Sequence, residues 1–191
     1  MTRPLVNPGS LYWTGQHWMV YLREPGSDQD TGRVSVWHTH FCEAGEGTVI
    51  YVDIPGAYRA ACTDNREVAG FMDRWVRKLP GPYDIDHLVD ARIERRGDIR
   101  QDPSWFVEAE DHTILTTWTE IEPPVILDGP APKFKEDQDV YSYLFFSGGS
   151  ILFDEKPVPG APYIRDTWNA SIGDDRSSCV IALSETFIDR P

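Results

Sequence analysis

Short runs of β-branched and aromatic residues, separated by Gly and Pro clusters, fill most of the chain and confine it to a mainly β fold. "YWTGQHWMVYLR" (12–23) is the first, and "EPGSDQDTG" after it reads as a turn. "RVSVWHTHFC" (33–42) and "GEGTVIYVDIP" (45–55) stand close enough to form a hairpin. "HLVDARIERRG", "WFVEAED", "HTILTTWTEIE", "DVYSYLFFS", "SILFDE" and "SCVIALSETFI" follow, punctuated by Pro123-Pro124, Gly129-Pro130 and Gly148-Gly149. The expectation is a single domain over residues 1–191. Its strands are expected to close into an antiparallel β-barrel, with a two-sheet jelly roll as the rival. "DEKPVPGAPYIRDTWNASIGDDRSS" is expected to be a long loop.

One segment breaks the alternation. In "TDNREVAGFMDRWVRKLPGP", Val68, Phe71, Met72, Trp75, Val76 and Leu79 recur at helical spacing. The spacing predicts a helix near 65–79, with Asp64 as N-cap, Glu67 completing a capping box, and Pro80-Gly81-Pro82 as the stop. Its apolar stripe is expected to pack into the core.

Charge narrows the partners. The formal net charge is −13, from 31 acidic and 18 basic side chains. Nucleic-acid phosphates and anionic membrane surfaces are repelled by such a field. A neutral or cationic small molecule fits more easily. Cys42, Cys62 and Cys179 are too widely spaced for a CxxC zinc pattern or a disulfide framework. With no signal-peptide pattern in residues 1–30 and no long apolar run, a cytoplasmic setting is expected. No GxGxxG, GxxxxGK[ST] or GxSxG motif is present, so no nucleotide or nicotinamide cofactor is expected.

The chemistry-bearing feature is His38-Thr39-His40. On a strand, residues two apart share a face, which puts Val34, Val36, His38, His40 and Cys42 together. A histidine with an unperturbed pKa near ~6.5 is a natural acid/base group at neutral pH. Tyr51 and Asp53, on the neighbouring strand, are expected to stand across from the pair. Glu185 interrupts an apolar strand face with Cys179, Ile181 and Leu183, and a buried carboxylate without a partner is costly. His38, His40, Tyr51, Asp53 and Glu185 are therefore the expected catalytic set. Trp37, Phe41, His112, Trp118, Tyr141 and Tyr143 are the expected substrate walls. His17 and His87 have no motif around them and are expected to be structural.

The stretch from Gly32 to Gly56 resembles the first cupin motif: Gly32 stands six residues before His38, His40 follows, and Gly56 falls where a closing Gly would. That resemblance implies a jelly roll and a metal ion held by His38, His40 and Glu43 or Glu46. The early strand "LYWTGQHW", the hairpin, the single helix and the terminal strand "CVIALSETFI" resemble small bacterial lipocalin-like (calycin-type) barrels. This second resemblance implies an interior pocket for one small, mostly apolar molecule. The leading expectation is a cofactor-independent lyase or isomerase acting on an oxygenated apolar molecule, such as a terpenoid epoxide, enone or polyketide fragment. A cupin-like metalloenzyme and a non-catalytic carrier of a hydrophobic ligand are the alternatives.

Overall fold

A computed structural model describes residues 9–77, 79, 81–130 and 137–190. The strands are β1 (Ser10–Arg23), β2 (Asp30–Phe41), β3 (Gly47–Ile54), β4 (Tyr58–Thr63), β5 (Leu88–Arg96), β6 (Ser104–Ala109) and β7 (His112–Thr119). They continue with β8 (Val125–Pro130), β9 (Gln138–Phe153), β10 (Lys156–Pro157), β11 (Ile164–Arg165), β12 (Arg176–Ser177) and β13 (Cys179–Asp189). The helices are α1 (Arg66–Val76) and α2 (Asp166–Ile172).

Hydrogen bonding runs in a ring: β9, β13, β1, β2, β3, β4, β5, β6, β7 and back to β9. Strands that alternate direction can close a ring only in even number. This ring has an odd number, so one neighbouring pair must run parallel, and β4 with β5 is that pair. A parallel pair needs a crossover, which α1 supplies. β9 closes the ring because it is long. Its first part pairs with β13 and its last part with β7.

The two faces of the ring have different jobs. Inward, Trp18, Val20, Val34, Val36, Ile50, Val52, Trp105, Ile114, Trp118, Ile151 and Ile181 pack into one cluster. Trp18 meets Trp118 edge-on at 5.0 Å and Trp105 at 6.0 Å. The Trp118 indole N–H donates to the Met19 carbonyl at 3.0 Å. A Cβ at Gly149 would lie 2.9 Å from both Cys179 Sγ and Val20 Cγ2, so the interior needs glycine there. Outward, α1 covers Trp13, Trp37, Val49, Tyr51, Ala61 and Phe187 with Val68, Phe71, Met72, Trp75 and Val76. A separate outer cluster, Met19, Tyr21, Leu144, Phe146 and Val180, receives Trp168 and Ile172 of α2.

Local chemistry corrects several expectations. The N-cap of α1 is Asn65, whose Oδ1 accepts from the Glu67 and Val68 N–H groups, while Asp64 Oδ1 accepts from Thr48 N–H at 2.7 Å. Asp64 therefore ties the helix start to β3 and does not cap it. The helix ends at Val76, short of 79. The long segment after Phe153 carries α2 and three two-residue strands, so it is not a plain loop. "DVYSYLFFS" and "SILFDE" are one strand, β9, and run on through Gly148-Gly149. Gly32 and Gly56 have separate reasons: a Cβ at Gly32 would strike Val158 at 2.8 Å, and Gly56 adopts φ +77° in the β3–β4 turn.

Trp118→Ala should cost about 3–5 kcal/mol, because it empties the centre of the ring and leaves the Met19 carbonyl without its donor. A urea midpoint within error of wild type would show that Trp118 is not the centre of that packing.

Candidate functional site

The β2–β3 register decides which groups meet. His38 stands opposite Thr48, Ser35 opposite Tyr51, and Arg33 opposite Asp53. Opposed residues share a face. The His38 face is therefore that of Thr48, Ile50 and Val52, which points into the ring. Tyr51 and Asp53 are on the outer face, away from the histidine pair. Tyr51 packs beneath α1. Asp53 is buried in ion pairs with Arg33 and Arg59. The expected grouping fails here because the turn between β2 and β3 sets the register with the opposite parity.

A second parity change moves Glu185. Ser184 has φ +51° and the β9–β13 and β1–β13 registers slip beside it. This bulge turns Glu185 away from the inner face of Cys179, Ile181 and Leu183. It is buried on the outer face, with its Oε2 3.7 Å from His17 Nδ1. His17 Nε2 lies 2.9 Å from Ser35 Oγ and 3.2 Å from the Tyr83 hydroxyl, and its ring stacks on Trp37 at 3.7 Å.

The Ser35–His17–Glu185 order is that of a nucleophile, base and acid, but its state is not. Ser35 is 0% exposed beneath Tyr83. The 3.7 Å gap exceeds hydrogen-bond reach. Burial pushes the Glu185 carboxyl up to about 8; burial, then the Arg165 charge, pushes the His17 imidazole down to about 3. Both groups are neutral at pH 7, so this is a sealed polar network under Tyr83.

The inner histidines occupy a different environment. They sit at the rim of the ring where β2 ends, with ring centroids 4.9 Å apart. His38 is half-buried and its Nδ1 lies 2.9 Å from Thr48 Oγ1. That contact leaves Nε2 as the ring atom available to another molecule. Burial first, then His40 and Arg95, hold the His38 pKa below its ordinary value, against Asp64 and Glu46. His40 is exposed, and its Nε2 is 3.5 Å from the Gln16 amide, whose oxygen accepts from Trp18 Nε1 at 3.1 Å. A groove of about 600 Å³ runs outside the pair, lined by His38, His40, Glu46, Thr48, Asp64 and Asn65.

Two residues of this rim were not singled out from the sequence. Trp105 lies 5.3 Å from the His38 ring. Arg95 is exposed, with its guanidinium 4.9 Å from the Trp18 ring and 6.0 Å from that of Trp105. The signal was present: Val89, Ala91, Ile93 and Arg95 alternate along β5 on the inner face.

The expected wall residues are dispersed. Trp37 is buried on the outer face and Trp118 fills the interior. His112 is at the far end of the ring, where its Nδ1 is 2.9 Å from Asp154 Oδ2. Phe41 is exposed. Tyr141 and Tyr143 share the strand face of Phe145 and are exposed where β9 runs beyond β7. His87 lies 3.1 Å from Glu110 at the surface. For the metal alternative, Glu43 turns to Arg74 at 3.5 Å. Among the described residues no three His, Cys, Asp or Glu side chains are grouped to hold a metal ion. No helix among them is long and apolar enough to cross a membrane.

Comparison with protein-family models, with curated proteins and with solved structures returned no match.

The sealed pair makes stability depend on pH. His17 has a folded pKa below its ordinary value, so stability rises with pH between about 3 and 6.5. Glu185 has one above its ordinary value, so stability falls between 4.5 and about 8. The two slopes cancel from 4.5 to 6.5, and above 6.5 the Glu185 loss, about 1.4 kcal/mol per pH unit, stands alone. Urea unfolding across this range should show a plateau and then the fall. Glu185→Gln should remove the fall, and a fall unchanged in that variant would assign it to another group.

Proposed function

We propose that the ring is a lipocalin-like barrel whose rim transfers protons to and from a small, mostly apolar, oxygenated molecule, without a cofactor. The observation that supports this reading is His38: half-buried, held at Nδ1 by Thr48, and kept neutral by burial. A neutral imidazole with one nitrogen anchored and the other free is a general base in its working tautomer. The substrate class is an enone or a comparable carbonyl compound. His38 Nε2 takes a proton from the carbon beside the carbonyl, and the electron pair moves into the C–C–O system as an enolate. The proton returns at another carbon, from His38 or from the neighbouring His40, which completes an isomerisation; loss of a leaving group instead completes a lyase reaction. Thr48 has the orienting role, because Tyr51, Asp53 and Glu185 lie on the outer face.

In this reading the substrate binds at the rim and not deep in the ring, because the interior is tightly packed. Trp105, beside His38, supplies apolar contact there. A carrier without catalysis would use the same rim. The test between the two is proton exchange.

The assay incubates the protein with a panel of small cyclic enones in D₂O and follows deuterium entry beside the carbonyl by NMR. Wild type should exceed buffer, and His38→Ala should lose ~10²–10⁴-fold in rate. The acid limb of kcat/KM should fall below pH 6.5, because the base works only when unprotonated and its pKa is lowered from 6.5. Binding without any exchange above buffer would replace the enzyme reading with the carrier.

A further inference from the structure

We infer that the rim beside His38 is an anion site, and that its ligand is a small planar molecule carrying a carboxylate or enolate, gripped by Arg95 over the Trp18 and Trp105 rings. The inference rests on the reading of the rim as the functional site and names the charge of what binds there.

The first support is a missing partner. The chain has 31 acidic side chains, and its arginines use them. Arg23 pairs with Asp30, Arg33 with Asp53, Arg66 with Asp90, Arg77 with Asp73, Arg176 with Glu122 and Arg190 with Asp139. On either side of Arg95, Arg92 and Arg96 both hold Glu94. Arg95 points the other way along β5 and, among the described residues, meets only indole faces. Contact with those rings partly desolvates the guanidinium and holds its pKa below the ordinary value, with no carboxylate offsetting that cost. Arg165 and Arg100 also have no carboxylate among the described residues, but Arg165 lies over Tyr21 on the outer face and Arg100 is exposed in the β5–β6 turn.

The second support is an orphan donor. Trp105 is 4% exposed, and its Nε1–H has no acceptor among the described residues. A buried donor left unpaired is costly, and a carboxylate arriving at Arg95 offers an acceptor beside it. The Trp37 and Trp75 Nε1–H groups likewise have no acceptor within hydrogen-bond distance among the described residues, but both are on the outer face with α1. The third support is geometry: indole, imidazole and guanidinium planes close one side of the rim, which favours a flat ligand.

The site acts against the charge of the whole chain. At physiological salt, charges beyond about 8 Å are largely screened, so Arg95, the Trp105 N–H and His38 determine what binds. The nearby acids are Asp64, which is bound to Thr48 N–H, and Glu46 in the groove outside.

The probes are trans-cinnamate and its neutral isostere cinnamamide, measured by calorimetric titration. Wild type should bind cinnamate about tenfold or more tightly than cinnamamide, the scale of one charge-assisted contact. Arg95→Met should erase the preference. Arg92→Met, which removes the same charge from the opposite side of β5, should keep it. Trp105→Phe should weaken cinnamate several-fold and leave cinnamamide unchanged, which tests the site even if R95M does not fold. Equal binding of the two probes, no binding of either, or a preference that survives R95M would overturn the inference. Cinnamate preference is read by calorimetry and proton exchange by NMR, both on the wild type, so absent exchange with the preference intact and an absent preference are separate results.

Discussion

The packing of Trp18, Trp105 and Trp118 inside the ring governs what the rest of the structure can do. Indoles are large, and edge-on contacts at 5.0 and 6.0 Å fill the centre of the ring with few neighbours. A ring filled this way gains stability from its interior and cannot also hold a sizeable ligand there. The surface open to another molecule is the rim, where β2 and β5 end and β6 begins. Trp18 and Trp105 belong to both regions: both are core, both lie beneath Arg95, and Trp105 approaches His38.

The same strand type produces opposite histidines. His17 and His38 are each on a β-strand, and each has a hydroxyl at 2.9 Å. His17 is closed over by Tyr83, Trp37 and Glu185, and burial neutralises both ionisable partners. His38 has the rim on one side, so the lowering of its pKa leaves an imidazole that is reachable as well as favoured in its neutral form. Access, more than the identity of the partner, separates the two imidazoles.

Much of the fold was legible because periodicity is local. Alternation along β1, β2 and β13, and the helical spacing of Phe71, Met72 and Trp75, follow from each segment alone. Face assignments were less legible because they depend on parity, and parity is set by features of one residue. The β2–β3 turn put Tyr51 and Asp53 on the outer face, and the Ser184 bulge put Glu185 there too. His17 has no motif around it in the sequence, and the polar network that buries it comes from residues distant along the chain. Arg95 is hard to see in the sequence because "ARIERRGDIR" reads as a mixed-charge surface; the inward alternation of Ala91 and Ile93 distinguishes it from Arg92 and Arg96.

Net charge is likewise a poor guide to a single site. A value of −13 argues against an anionic ligand when spread over the chain, yet most carboxylates are committed to arginines or exposed on outer faces. Within screening distance of the rim the balance differs. Among the described residues Arg95 there has no carboxylate, the His38 imidazole is within its electrostatic reach, and the nearby Asp64 spends one oxygen on the β3 backbone. The acidic surround has its own consequence: an anion is repelled at long range and held only on contact. Selection at this rim therefore falls on short-range shape and hydrogen bonding, which is where flat rings and a guanidinium discriminate well.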